Sequence, residues 1–248
     1  MKTWAAIAVA FLAIAVAAPA FCADDGLSAL LNEVDDLYRS DSSEGRMSMT
    51  VKTANFTRTL VFDTWSEGKE KSLIRIVLPL KEKGTTTLKV NRDIWNYLPN
   101  VDRTIKIPAS MMGSSWMGSH FTNDDLVRES RYVDDYTCIR DGGEDRAIIG
   151  ITCTPNPDSG LIWGKIVLTL GAEDHLPRRM DYFDEDMKAA RTMYFEDVGD
   201  LGGRKLPRLM RLVPSDKPDE ETRVEYQSLR FNPDLSPALF SLRSLRSR

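Results

Sequence analysis

From about residue 46 onward the chain changes face every second residue, in short runs separated by polar turns. Phe56, Leu60 and Phe62 alternate with Thr57, Thr59 and Asp63. Further runs cover 73–78, 85–90, 94–98, 103–107, 132–140, 147–154, 163–170, 177–183, 189–197, 205–213 and 223–231. Turns rich in Ser, Gly, Asn and Asp lie between several of them, at 66–69 and 91–93 for example. A period of two places alternate side chains on opposite faces of a strand. Parallel strands need crossovers of a dozen or more residues, and few gaps here are that long. The chain is therefore expected to be mainly β, in an α+β arrangement, with an antiparallel sheet or barrel. Its 248 residues fit one such domain, and neither an internal repeat nor a low-complexity linker divides it.

Two segments depart from the period of two. Leu27, Leu30, Leu31, Val34 and Leu37 recur at spacings of three and four, which predicts an amphipathic helix over 25–38. Residues 108–121 read P-A-S-M-M-G-S-S-W-M-G-S-H-F. This stretch is too rich in Gly and Ser for a strand, yet carries Met111, Met112, Trp116, Met117 and Phe121. A loop with that much apolar surface either buries it in a core or uses it to meet a ligand. Thr122 is placed to cap a short helix after the loop, and 233–242 predicts a helical turn that Pro237 opens.

The N-terminus has the pattern of an export leader. Lys2 precedes an Ala-rich apolar run, and Ala18-Pro19-Ala20 and Ala20-Phe21-Cys22 offer small residues for cleavage. The expected division is a signal peptide over 1–22, cleaved between 20 and 23, and a single domain over 23–248. A membrane anchor and acylation at Cys22 are the competing readings; bulky Phe21 before the cysteine disfavours the second. No later apolar run is long enough to span a bilayer. An exported chain meets an oxidising compartment. Cys138 and Cys153 flank Gly142-Gly143 almost symmetrically, so a hairpin about that turn would set them face to face; a disulfide is expected, and two buried free thiols are the competing reading.

Signals of catalytic chemistry are weak. Two histidines, His120 and His175, rule out most His-rich metal sites. Gly160, Gly164 and Lys165 fall one residue short of a phosphate loop, and no Ser or Thr follows the lysine. Asp181, Asp184, Glu185 and Asp186 lack the glycine an EF-hand needs at its sixth position, so a solvated hairpin tip is the better reading. His120 is expected to cap or line its loop. A net charge of −4 disfavours a nucleic-acid partner. The expectation is a protein that is not an enzyme.

Ile94-Trp95-Asn96-Tyr97-Leu98-Pro99 resembles the IW-x-YLP strand of the LolA-like outer membrane lipoprotein-sorting family. Arg103-Thr104-Ile105-Lys106 and the segment from Met111 to Leu126 continue the resemblance. Leu176-Pro177-Arg178, Gly202-Gly203-Arg204-Lys205-Leu206-Pro207 and Ala238-Leu239-Phe240-Ser241 carry it towards the C-terminus. His120 departs from the family's Gly-Ser-Asp-Phe pattern. The resemblance implies an incomplete antiparallel β-barrel, a strongly curved sheet covering an N-terminal helix and short lid helices. It implies a periplasmic carrier of lipid, lipoprotein acyl chains or a similar hydrophobic ligand, with no cofactor. The implied partners are an envelope transporter or outer-membrane acceptor, and the chain is expected to be a monomer. Candidate ligand-lining residues are Leu30, Leu31, Val34, Trp95, Tyr97, Met111, Met112, Trp116, Met117 and Phe121. Core packing competes with ligand lining for the loop residues and is favoured for Trp95 and Tyr97. The alternative function is a non-catalytic accessory module of an envelope transporter whose cavity is filled by its own side chains.

Overall fold

A computed structural model describes residues 25–128, 132–141, 145–157 and 159–246. The expected export leader and the expected Gly142-Gly143 turn lie outside the described residues. Helix α1 (Asp25–Asp36) is followed by six strands, each antiparallel to the one before: β1 (Ser42–Lys52), β2 (Thr57–Glu67), β3 (Lys71–Leu78), β4 (Thr86–Val90), β5 (Asp93–Leu98) and β6 (Arg103–Lys106). They walk outward from the middle of the sheet to one edge. The chain then crosses to the opposite edge through helices α2 (Asn123–Arg128) and α3 (Tyr132–Asp135). Seven more strands walk back: β7 (Tyr136–Asp141), β8 (Ile148–Pro155), β9 (Lys165–Gly171), β10 (Pro177–Phe183), β11 (Ala189–Leu201), β12 (Arg204–Pro214) and β13 (Glu221–Phe231). β13 pairs with β1, giving one open sheet of thirteen strands in the order β6-β5-β4-β3-β2-β1-β13-β12-β11-β10-β9-β8-β7.

This topology determines where the lid comes from. β6 and β7 are the two unpaired edges, so the segment joining them must span the mouth of the curved sheet. Arg92, in the turn after β4, reaches across that mouth to Asp135 of α3 at 3.4 Å. Both edge strands are short, which limits pairing with other chains.

Local chemistry accounts for the element boundaries. Gly202 and Gly203 both adopt positive φ, giving the two-residue turn that suits the twist of the β11–β12 hairpin. Thr122 Oγ1 accepts the Asp125 N–H at 3.2 Å, and Asp125 Oδ2 accepts the Thr122 N–H at 2.7 Å. That reciprocal box fixes the start of α2, as the sequence predicted. One strand begins later than expected: residues 132–135 form α3, and extended pairing starts at Tyr136. Tyr132, which opens α3, and Tyr136, which opens β7, bury their rings together at a centroid distance of 6.3 Å. The predicted C-terminal turn is a 3-10 turn over Pro237–Phe240.

The main core lies on the concave face. Leu27, Leu30, Leu31 and Val34 of α1 pack against Met49, Val51, Leu60, Leu168 and Leu212 of the sheet. A second core lies on the convex face, where the C-terminal turns bury Phe240 and Leu245 against Leu73 and Leu88. Cys138 and Cys153 are register partners on β7 and β8 and form a disulfide with an S–S distance of 2.01 Å. Among the described residues no helix is long and apolar enough to cross a membrane.

Candidate functional site

Between the concave face and the crossing segment lies a cavity of about 230 Å³. Met180, Met193 and Met210 line it from β10, β11 and β12. Phe62, Ile74 and Ile166 add apolar surface from β2, β3 and β9, and Val34 and Tyr38 do so from the end of α1 onward. Methionine is unbranched and polarizable, so a wall rich in it conforms to ligands of variable shape.

The predicted site residues separate into three groups. Val34, Trp116 and Phe121 border the cavity. Leu30, Leu31 and Met117 pack in the adjoining main core, and Met112 packs against the pair Ile94 and Ile107. Met111 is 46% exposed, and Trp95 and Tyr97 lie on the convex face with the C-terminal turns. The last two do not reach the cavity because odd-numbered residues of β5 face away from it.

Trp116 serves the core and the cavity wall together. It is 4% exposed, stands edge-on to Phe62 at 6.0 Å, and donates its indole N–H to Thr87 Oγ1 at 3.2 Å. Its loop is tied down at several points. Arg191 of β11 donates to the His120 carbonyl at 3.1 Å and forms a two-pronged pair with Asp125 of α2. The buried guanidinium also lies 4.3 Å from the Trp163 ring and 4.2 Å from the Tyr182 ring. His120 hydrogen-bonds Thr222 through Nδ1 at 2.8 Å and Glu220 through Nε2 at 3.2 Å. The Ala54 N–H, and then His120, hold the Glu220 carboxyl below its ordinary range. The histidine therefore anchors the loop to β13, in agreement with the expected structural role. Asp184 and Lys188 close a hairpin tip between β10 and β11, as the acidic cluster predicted.

The opposite end of the cavity is polar. Ser43, Thr64, Ser66, Ser72 and Lys89 face it from the sheet, and Asp35, Arg39 and Lys69 approach from above. Asp35 has a fully buried side chain whose Oδ2 meets Lys69 Nζ at 3.3 Å, while Oδ1 has no hydrogen-bond partner. Burial pushes the Asp35 carboxyl up to about 6, against the pull of Lys69. Neither this end nor Arg191 was singled out from the sequence. Ser and Lys in an alternating strand read as its solvated face, and nothing in Ala189-Ala190-Arg191-Thr192 distinguishes a buried arginine.

No curated protein matches the chain. Among solved structures, a DUF1329 family protein from Desulfovibrio piger has a TM-score of 0.79 at 23% identity, covering 88% of this chain and 96% of that one. A protein described as an outer membrane lipoprotein-sorting protein domain, from Vibrio parahaemolyticus, has a TM-score of 0.76 at 20% identity, covering 90% and 97%. A LolA superfamily protein from Nitrosomonas europaea has a TM-score of 0.72 at 19% identity, covering 88% and 98%. These likenesses establish the incomplete-barrel fold. A family model whose description reads "-like: Uncharacterized protein" matches residues 68–247. The chain belongs to that family, and its fold is the one shared by the LolA-superfamily lipoprotein-sorting proteins.

Proposed function

We propose that this protein is a periplasmic carrier that holds a lipid, a lipoprotein acyl chain or a similar hydrophobic molecule for transfer to or from the outer membrane. The observation that carries the reading is the methionine- and aromatic-lined cavity between the curved sheet and the strap that crosses its mouth. Burying an acyl CH₂ contributes about 0.8 kcal/mol, so part of one chain is enough for micromolar affinity after the costs of association. No catalytic group is needed for this role. An export leader over 1–22 would deliver the chain to the periplasm, where an envelope transporter or outer-membrane acceptor would load or unload a monomeric carrier.

Mass spectrometry of an organic extract from protein purified out of the periplasm tests the reading. A stoichiometric acyl lipid, and its rebinding after delipidation, is the expected result. An empty extract together with no rebinding would favour the accessory module with a self-filled cavity. N-terminal sequencing of the exported protein checks the leader, with a start between Phe21 and Asp24 expected.

A further inference from the structure

The concave face changes chemistry along the length of its strands. In its apolar part, Met47, Phe62 and Ile76 lie side by side on β1, β2 and β3. Towards the far end of the cavity the same strands present Ser43, Ser66 and Ser72 side by side, and β4 extends the row with Lys89. Ser43 pairs with Ser66, Ser66 with Ser72, and Ser72 with Lys89, so four adjacent strands become polar at one level. All four residues line the cavity. Neighbouring strands lie roughly 4.8 Å apart, which makes the row a ladder of closely spaced hydroxyls ending in an ammonium.

Apolar side chains in this row would bury themselves without the cost of desolvating hydroxyls and an amine. Lys89 is 5% exposed, and its Nζ donates to the Lys69 carbonyl at 2.7 Å. Lys69 Nζ in turn faces Asp35, whose Oδ1 is buried without a partner. Arg39 borders the same space. Lys69, Lys71, Lys89 and Arg39 thus border the cavity near Asp35, with Lys71 paired to Glu67. Two acids of the lid segment, Asp124 and Asp125, also line the cavity, and Asp125 is paired with Arg191.

We propose that this row is a headgroup site, and that the cavity selects acyl amphiphiles whose headgroup is an oxyanion. The inference rests on the carrier reading and specifies its ligand class. The chain lies among the methionines. The headgroup oxygens take hydrogen bonds from Ser66, Ser72 and the Lys89 ammonium. Asp35 lies beside the row with its Oδ1 buried without a partner, and burial raises its carboxyl, which lessens its repulsion of an arriving anion. A fatty-acid carboxylate and a lipid phosphate share this chemistry.

Calorimetric titration of delipidated protein with four amphiphiles of equal chain length, below their micelle thresholds, tests the proposal. The set is dodecanoate, dodecyl phosphate, dodecanol and dodecyltrimethylammonium. Expected is binding of both anions at least about tenfold tighter than dodecanol, with the trimethylammonium ligand weakest, as charge-assisted hydrogen bonds imply. Either anion binding tighter supports the site; dodecanoate in the lead names a fatty acid, and dodecyl phosphate a phospholipid-like head. Lys89→Met is expected to abolish the preference by weakening both anions far more than dodecanol. Ser72→Ala, a milder change that keeps the fold, is expected to reduce it about threefold. Equal affinity for all four ligands, or an undiminished preference in Ser72→Ala and a folded Lys89→Met, would overturn the headgroup site and leave the carrier standing. Failure of dodecanol and both anions to bind would overturn the carrier reading, and this inference with it.

Discussion

On the convex side of β3 and β4, Leu73 and Leu88 meet Phe240 and Leu245 from the C-terminal turns. On the concave side of the same two strands, Ser72, Ile74 and Lys89 border a cavity. The two covers are built differently. The convex cover is a terminal segment that lies flat, with Arg75 donating to the Ser244 carbonyl at 2.8 Å and its guanidinium 5.6 Å from the Trp65 ring. The concave cover is α1 together with a strap whose ends are fixed at opposite edges of the sheet, and a cavity remains beneath them. Burial alone does not mark a site: both faces bury aromatic and aliphatic side chains, and the way the cover is attached separates core from cavity.

Leu88→Ala on the convex side is expected to have the largest effect on stability. Leu88 is fully buried in a filled core, so the change should cost about 3–4 kcal/mol in urea unfolding and leave ligand binding intact. Replacing both Cys138 and Cys153 with Ser opens the bridge between β7 and β8 at the far edge of the sheet. Its separation of 15 residues implies a loss of about 3 kcal/mol, read from the same unfolding curves.

Asp35 supplies a pH dependence confined to the concave side. Its folded carboxyl is raised from 3.8 to about 6, the reverse of the usual salt-bridged acid. Its favourable contribution is present below the unfolded value and is lost as pH rises from about 4 through about 6, by roughly 3 kcal/mol at most. Thermal melts across that window should show the decline in the parent and a much flatter profile in Asp35→Asn. The smallest effect is expected from Met193→Ala. Its side chain already borders empty space and forfeits fewer contacts, so about 1 kcal/mol is lost, against the larger figure for Leu88→Ala.

The faces also show what could be read from sequence. The period of two gave the strands, and the spacing of Leu27, Leu30, Leu31 and Val34 gave α1 with its buried stripe. The apolar loop was visible because Met, Trp and Phe stand among Gly and Ser. The face of each β5 residue was not legible, because that strand is covered on both sides. Ile94 points to the lid and Trp95 to the C-terminal turns, and either parity looks apolar. The Ser43–Lys89 row was hidden for a different reason. Its members lie in four strands and become one feature only when register aligns them.

Titration with a fluorescent fatty-acid probe across the parent, Met210→Trp and Leu88→Ala tests the central claim most directly. Met210→Trp places an indole in the cavity, and Leu88→Ala weakens the convex core without touching it. The account predicts saturable binding by the parent, near-parent affinity in Leu88→Ala, and at least about tenfold weaker binding in Met210→Trp, the loss of a few buried methylenes. No binding by the parent, or equal losses in the two variants, would contradict it.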